Sequence, residues 1–301
     1  MRLKNSSDKL TFIIDSLCTI GFEHKGGSIA IHKLAFELAN LGHFVYLFNE
    51  PKYSHSNIGV IKTERIPQDD GWWSFFNWEG FSYDENRTIT IYSNLTKQNY
   101  FGTKHNVRWF LDDYNEQEFS FFSEEDVISN FGSFKVPKGL INLPLTIFDY
   151  NTDIFINKNL SNRKGFGYIL HKFTPDWGID FLEKFNATEI KHYNGQIEIN
   201  YLNDEFNKYE YVLTFDDKSY YTVAAALCGA KSIILNNKKE LSPFEYRIQN
   251  PLQMFGVAYG LNDLKWAKET INLVRDYVIE LNKKDYKTIL NFVDYWNNKL
   301  K

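Results

Sequence analysis

A chain of 301 residues, 43% hydrophobic and 24% charged, has the make-up of a globular protein long enough for two domains, not of a disordered or fibrous chain. The net charge of −4 excludes a nucleic-acid backbone as the main partner, and the two cysteines, Cys18 and Cys228, stand in no paired spacing, which excludes a zinc motif or disulfide framework. The opening residues lack the apolar run of a signal peptide, and no stretch approaches the roughly 20 apolar residues of a membrane helix, so a cytoplasmic protein with reduced cysteines is expected.

Residues 10–15, LTFIID, read as a short buried strand. A loop holding Gly21, Gly26 and Gly27 follows. Ile31, Leu34, Ala35 and Leu38 then recur at helical spacing behind Ser28, the expected N-cap. Gly42 closes that helix, and residues 44–48, FVYLF, form the next strand. These three elements make a βαβ unit, which implies a parallel sheet. Residues 69–81, DDGWWSFFNWEGF, are an aromatic-rich loop without a period, and residues 88–93 and 106–111 read as later strands. Around residues 148–162 the chain turns polar and Asn-rich, the composition of a domain boundary. A second α/β series follows, with strands at 165–172, 187–193, 211–215 and 231–235 and helices at 178–185, 201–209 and 219–229. Two long helices close the chain, one carrying Leu264, Ala267, Ile271, Val274, Val278 and Leu281, the other Ile289, Phe292, Val293 and Trp296. The expected domains are 1–157 and 158–283, followed by a last helix at 284–301.

Two adjacent glycines before a helix, Gly26 and Gly27, leave backbone N–H groups open to an anion or let a substrate approach the chain; a plain turn is the alternative. Their spacing is not that of a dinucleotide fingerprint, and no Walker loop is present, which disfavours nicotinamide, flavin and P-loop sites. In the second series the strand at 211–215 runs into Asp216 and Asp217. Ser219, Tyr220, Tyr221 and Thr222 then crowd the start of the next helix. A diphosphate there would meet hydroxyls and the positive helix end, unless Ser219 merely caps the helix. Lys172, at a strand end, is the first cationic candidate for the same diphosphate, ahead of Arg163 and Arg247. His24 beside the glycines and His105 ahead of Arg108 are candidates for a base or an acceptor contact, whereas His32 and His43 read as structural or surface groups. No Asp-x-Asp occurs, so metal chemistry is not expected.

The glycine pair, its helix and LANLGHFVYLF resemble the first βαβ unit of two-domain, GT-B-type glycosyltransferases. Residues 89–112 are similar to a bacterial and viral group of these enzymes in which a strand ending Tyr-Pro-Glu leads into a Gly-Asn-Pro loop and a Val-Arg-Trp strand. Tyr92 and Val107-Arg108-Trp109 are kept, Ser93-Asn94 replaces Pro-Glu, and the Gly-Asn-Pro is absent. The resemblance continues at residues 163–172, 211–229 and 255–270.

The resemblance implies an α/β fold of two Rossmann-like domains facing each other across a cleft, with the last helix crossing back to the first domain. It implies a hexosyltransferase-like enzyme that moves a sugar from a nucleotide-sugar donor to a glycan or lipid-linked acceptor, as in polysaccharide biosynthesis, without a metal or other cofactor. The second domain would hold the nucleotide and the first the acceptor, with peripheral contact at the inner face of a membrane admitted. On this reading His24 and Asp217 are catalytic. Gly26, Gly27, Lys172, Ser219, Tyr220 and Thr222 bind the donor, and His105 and Arg108 the acceptor. Many retaining members carry Glu-x7-Glu near the second unit, whereas here Ala225 stands where the second acid would follow Asp217. Two other classes therefore stay open: a non-catalytic nucleotide- or glycan-binding module of a synthase complex, and a sugar-nucleotide epimerase of similar fold.

Overall fold

A computed structural model describes residues 9–15, 26–48, 58–61, 64–67, 73–76, 83–94, 96–99, 101–111, 119–120, 122–131, 140–148, 150–170, 174–191, 199–235 and 241–301. The chain divides into two compact units, Met1–Asp149 with Lys284–Lys301, and Tyr150–Lys283.

The first unit starts with β1 (Thr11–Asp15), α1 (Gly26–Asn40), β2 (Phe44–Phe48) and β3 (Ile58–Ile61). A separate antiparallel hairpin follows, β4 (Glu64–Pro67) with β5 (Trp73–Phe76). The aromatic segment read as a plain loop therefore contains a strand. The unit continues with β6 (Thr88–Ser93), β7 (His105–Phe110), β8 (Val127–Asn130) and β9 (Ile141–Asn142). The main sheet is seven-stranded in the order β3-β2-β1-β6-β7-β8-β9, and every neighbouring pair is parallel.

One face of this sheet carries Phe12, Ile14, Val45, Leu47, Ile89, Ile91, Val107 and Trp109, all buried in a single core. The register explains the shared face: Phe12 stands beside Val45 and Ile89, and Ile14 beside Leu47 and Ile91. Ile31, Leu34, Ala35 and Leu38, the stripe of α1, cover it together with Ile289, Phe292, Val293 and Trp296. Each fully buried Leu, Ile or Phe contributes on the order of 1.5–3 kcal/mol of transfer free energy. The helix begins at Gly26, so Ser28 lies within its first turn and is not the N-cap.

The second unit runs β10 (Phe166–Ile169), α2 (Asp176–Lys184), β11 (Thr188–Glu189), α3 (Ile199–Lys208), β12 (Tyr211–Thr214), α4 (Tyr220–Leu227), β13 (Lys231–Ile234), α5 (Pro243–Gln249), β14 (Val257–Tyr259) and α6 (Leu264–Thr270). Its sheet is five-stranded and parallel, in the order β11-β10-β12-β13-β14. A 3-10 turn at Ile271–Leu273 joins α6 to α7 (Val274–Lys299). The two closing helices therefore divide at this turn, and residues 274–299 form one uninterrupted helix, not a new one beginning at 284.

The division between the units falls at Asp149 and Tyr150, ahead of the 157–158 boundary read from composition. The Asn-rich segment is a strap docked on α3, not a loose connection. Asn203 Oδ1 accepts from the Ile156 N–H at 3.1 Å, and Asn207 Oδ1 accepts from the Lys158 N–H at 2.8 Å. Asn207 Nδ2 donates back to the Ile156 carbonyl at 2.9 Å. Two asparagines one helical turn apart thus satisfy the strap's backbone as a neighbouring strand would. Phe155 is fully buried beside Phe206. Gly229, at φ 90°, passes so close that an added Cβ would stand 2.6 Å from Asn157 Nδ2.

Candidate functional site

In each sheet the strand order reverses once, between β1 and β6 in the first unit and between β10 and β12 in the second. Parallel α/β sheets bind ligands outside the carboxyl ends of the strands at such switch points.

At the first unit's switch point β1 ends in Asp15, which is 2% exposed, and β6 ends in the buried Ser93, followed by the buried Asn94. Thr96 Oγ1 donates to Asp15 Oδ2 at 2.8 Å. The Thr96 carbonyl accepts from Arg108 Nη1 at 2.7 Å, and the Gln98 carbonyl from the same nitrogen at 3.3 Å. Arg108 Nε lies 3.0 Å from Asp126 Oδ2, and its guanidinium carbon 4.6 Å from the Tyr92 ring centre. The Tyr92 hydroxyl donates to Asn99 Oδ1 and accepts from the Phe101 N–H, each at 3.0 Å. Burial pushes the pKa of this phenol well above its usual value. No helix occurs among the described residues between β6 and β7. Side chains therefore supply the hydrogen bonds that a crossover helix would supply internally.

Arg108 is thus buried and engaged with Asp126 and the 96–98 backbone, inside the unit and away from solvent. His105, read with it as an acceptor contact, begins β7 and so stands at the amino edge of the sheet, opposite the switch point. Its ring lies 5.8 Å from that of Trp296. Burial lowers its pKa, with Lys104 and Lys299 adding to the effect. Gly26 and Gly27 open α1. A Cβ added at Gly27 would meet Leu111 Cδ1 at 3.6 Å, an ordinary contact, so the helix start packs on the carboxyl end of β7 without needing a glycine there. His24 lies outside the described residues.

At the second unit's switch point β12 is followed by Phe215 and a turn. The Asp216 N–H donates to Thr214 Oγ1, and the Lys218 N–H to Asp216 Oδ1, each at 3.1 Å. Ser219 is the N-cap of α4, its Oγ accepting from the Tyr221 N–H at 3.2 Å. The Tyr220 ring stacks on Tyr150, with centres 4.5 Å apart. Thr222 is 1% exposed, and its Oγ1 has no hydrogen-bond partner among the described residues. The structure therefore brings Asp217, Ser219, Tyr220 and Thr222 together at one strand-to-helix turn. Burial raises the pKa of Tyr259, at the end of β14, and the charge of Asp217 adds to that shift across the same carboxyl edge. Lys172 lies outside the described residues.

The other two cations are engaged by other partners. Arg163 donates to the Phe206 and Cys228 carbonyls, and so closes the carboxyl ends of α3 and α4. Arg247 pairs with Asp263, with its guanidinium carbon 4.7 Å from the Trp266 ring centre.

Trp177, which the sequence reading passed over, also stands at this edge. It is the second residue of α2, whose start follows the carboxyl end of β10. Its ring meets Phe215 at 5.5 Å and 81°, and the residue is half exposed at 49%. Among the described residues no group of three or more His, Cys, Asp or Glu is arranged to hold a metal ion. None of their helices is long and apolar enough to cross a membrane.

No family model matches the chain, and no curated protein sequence matches it. Among solved structures it is similar to a sucrose-phosphate synthase from Thermosynechococcus elongatus, at 12% identity over 97% of each chain, with a TM-score of 0.51. Acinetobacter baumannii MurG aligns over 96% of this chain and 99% of its own, at 8% identity and a TM-score of 0.38. The spinosyn forosaminyltransferase SpnP aligns over 97% and 95%, at 11% identity and a TM-score of 0.42. The likeness to the sucrose-phosphate synthase is one of fold, two Rossmann-like α/β units of the GT-B type.

Proposed function

We propose that the chain is a glycosyltransferase, moving a sugar from a nucleotide-sugar donor to a glycan or lipid-linked acceptor without a metal. The bond from the anomeric carbon to the diphosphate breaks, a glycosidic bond to an acceptor hydroxyl forms, and the nucleoside diphosphate leaves as the acceptor proton is removed. One observation carries this reading. At the second unit's switch point a strand leads through a short turn into a capped helix start with a buried hydroxyl, Thr222, that has no hydrogen-bond partner among the described residues. A leaving diphosphate there meets the positive end of α4. Lys172, three positions beyond β10 in the chain, supplies the remaining positive charge. Asp217 and His24 are the candidates for proton transfer, and the α1 start at Gly26 and Gly27 is a candidate for substrate contact within the first unit. The fold likeness to a sucrose-phosphate synthase, itself named for making a sugar phosphate, supports the same class.

A thermal-shift screen of nucleotide sugars, followed by chromatography of the products, tests the reading. Donor binding stabilises only the folded chain, so the true donor raises the melting temperature. Turnover then yields free nucleoside diphosphate. Binding without any product would favour the binding-module reading, and an isomerised nucleotide sugar the epimerase.

A further inference from the structure

We propose that the indole of Trp177 is the platform on which the heterocyclic base of a nucleoside diphosphate stacks. The inference rests on the reading that the second unit holds a nucleotide, and it adds the place of the base. Single exposed aromatics are common on protein surfaces, so exposure alone decides nothing. What sets Trp177 apart is where it is fixed and what stands next to it.

The start of α2 follows β10, and Phe215, a buried core residue, follows β12, so the contact between Trp177 and Phe215 ties together the connections from the two strands that flank the reversal. The approach is close: a Cβ added at Gly178 would stand 2.9 Å from Phe215 Cζ. A larger residue there would lift the helix start from the strand end. Phe181 and Phe215 both meet the indole nearly edge-on, at 79° and 81°, and no ring is stacked parallel on it among the described residues. Two edge-on contacts thus brace the indole while the residue stays about half exposed, at 49%.

The chemistry around the ring separates base from phosphate. Asp176, exposed in the same turn, disfavours an anion beside the indole. The α4 start, with Ser219 and Thr222, stands on the connection from the neighbouring strand. The carboxyl edge of two neighbouring strands thus leads to an anion site on one connection and a flat aromatic surface on the other. A nucleoside diphosphate carries a matching pair of groups, an anion and a planar base, and every base offers a π-face to an aromatic side chain.

Calorimetry with UDP, ADP, GDP and dTDP, and with inorganic pyrophosphate, tests the proposal on the wild type, Trp177→Ala and Trp177→Phe. Trp177→Ala should weaken the best nucleoside diphosphate about tenfold or more, leave pyrophosphate binding unchanged, and be largely rescued by Trp177→Phe. Wild-type affinity for that nucleotide in Trp177→Ala would overturn the inference while leaving the nucleotide reading intact. An equal loss of pyrophosphate binding would also overturn it, since the residue would then be acting on the phosphate site or the fold. If the wild type binds none of the four nucleotides, the functional reading falls, and this inference with it.

Discussion

Arg108 and Asp126 form an ion pair in which Nε stands 3.0 Å from Oδ2 and each side chain is only 3% exposed. Removing one partner strands the other charge in the interior, which costs about 3–5 kcal/mol. Arg108→Met should therefore lower the urea midpoint sharply, and Arg108→Met with Asp126→Leu should recover most of the loss. A single variant as stable as wild type would contradict the buried pair and return Arg108 to acceptor binding.

His43 should make stability pH-dependent. Its Nδ1 accepts from the Leu10 N–H at 3.2 Å, so a proton there would face another donor. Burial lowers its pKa to about 4, with Arg87 and Lys9 adding to the shift. The folded pKa lies below the unfolded value of 6.5, so the stability is fully present above pH 6.5 and drains away as the pH falls towards about 4. By pH 5 the loss from this group is about 2 kcal/mol. Unfolding free energies between pH 7 and 5 should show that decline in the wild type and a flatter profile in His43→Gln. Parallel profiles would remove His43 as the cause.

Two glycines should respond oppositely to alanine. At Gly27 the added Cβ finds ordinary contact with Leu111, so Gly27→Ala should leave the melting temperature unchanged or gain up to about 1 kcal/mol of helix propensity. At Gly229 the backbone has φ 90° and Asn157 fills the space, so Gly229→Ala should cost about 1–3 kcal/mol. Equal melting curves for the two variants would contradict the docked strap.

Thr222→Val separates stability from binding. The buried hydroxyl has no partner among the described residues, so the apolar isostere should fold as well as the wild type or better, by about 1 kcal/mol. If the hydroxyl serves a bound diphosphate, calorimetry should show affinity falling severalfold in the same variant. Unchanged affinity would take Thr222 out of the donor site.

What could be read from the sequence follows the chemistry of each segment. β1, β2 and β12 are short runs of apolar and β-branched residues, and β6, β7 and β13 carry the same residue types among a few polar ones, so all six were legible. β9 and β14 span only two and three residues, too few to carry a period. Apolar residues recur from Leu264 to Trp296 without a glycine or proline, so nothing in the sequence marks the 3-10 turn at Ile271–Leu273. Asn203 and Asn207 read as the polar face of a helix because a sequence does not show that a strap lies on them. Arg108 carries the same charge whether it faces an acceptor or Asp126, and only the pairing of β7 with the chain leading to β8 decides. At the candidate site, the cluster after β12 was legible because hydroxyls and carboxylates crowd one strand-to-helix turn. Trp177 was not, because a lone tryptophan has no spacing signature.

The most direct measurement is release of nucleoside diphosphate from a nucleotide sugar, with an acceptor present and excess chelator throughout. Donor-dependent release that persists in chelator and falls in Lys172→Ala is the expected result. Release that vanishes with chelator and returns only with Mn²⁺ or Mg²⁺, or a donor that binds yet never turns over, would contradict metal-independent glycosyl transfer.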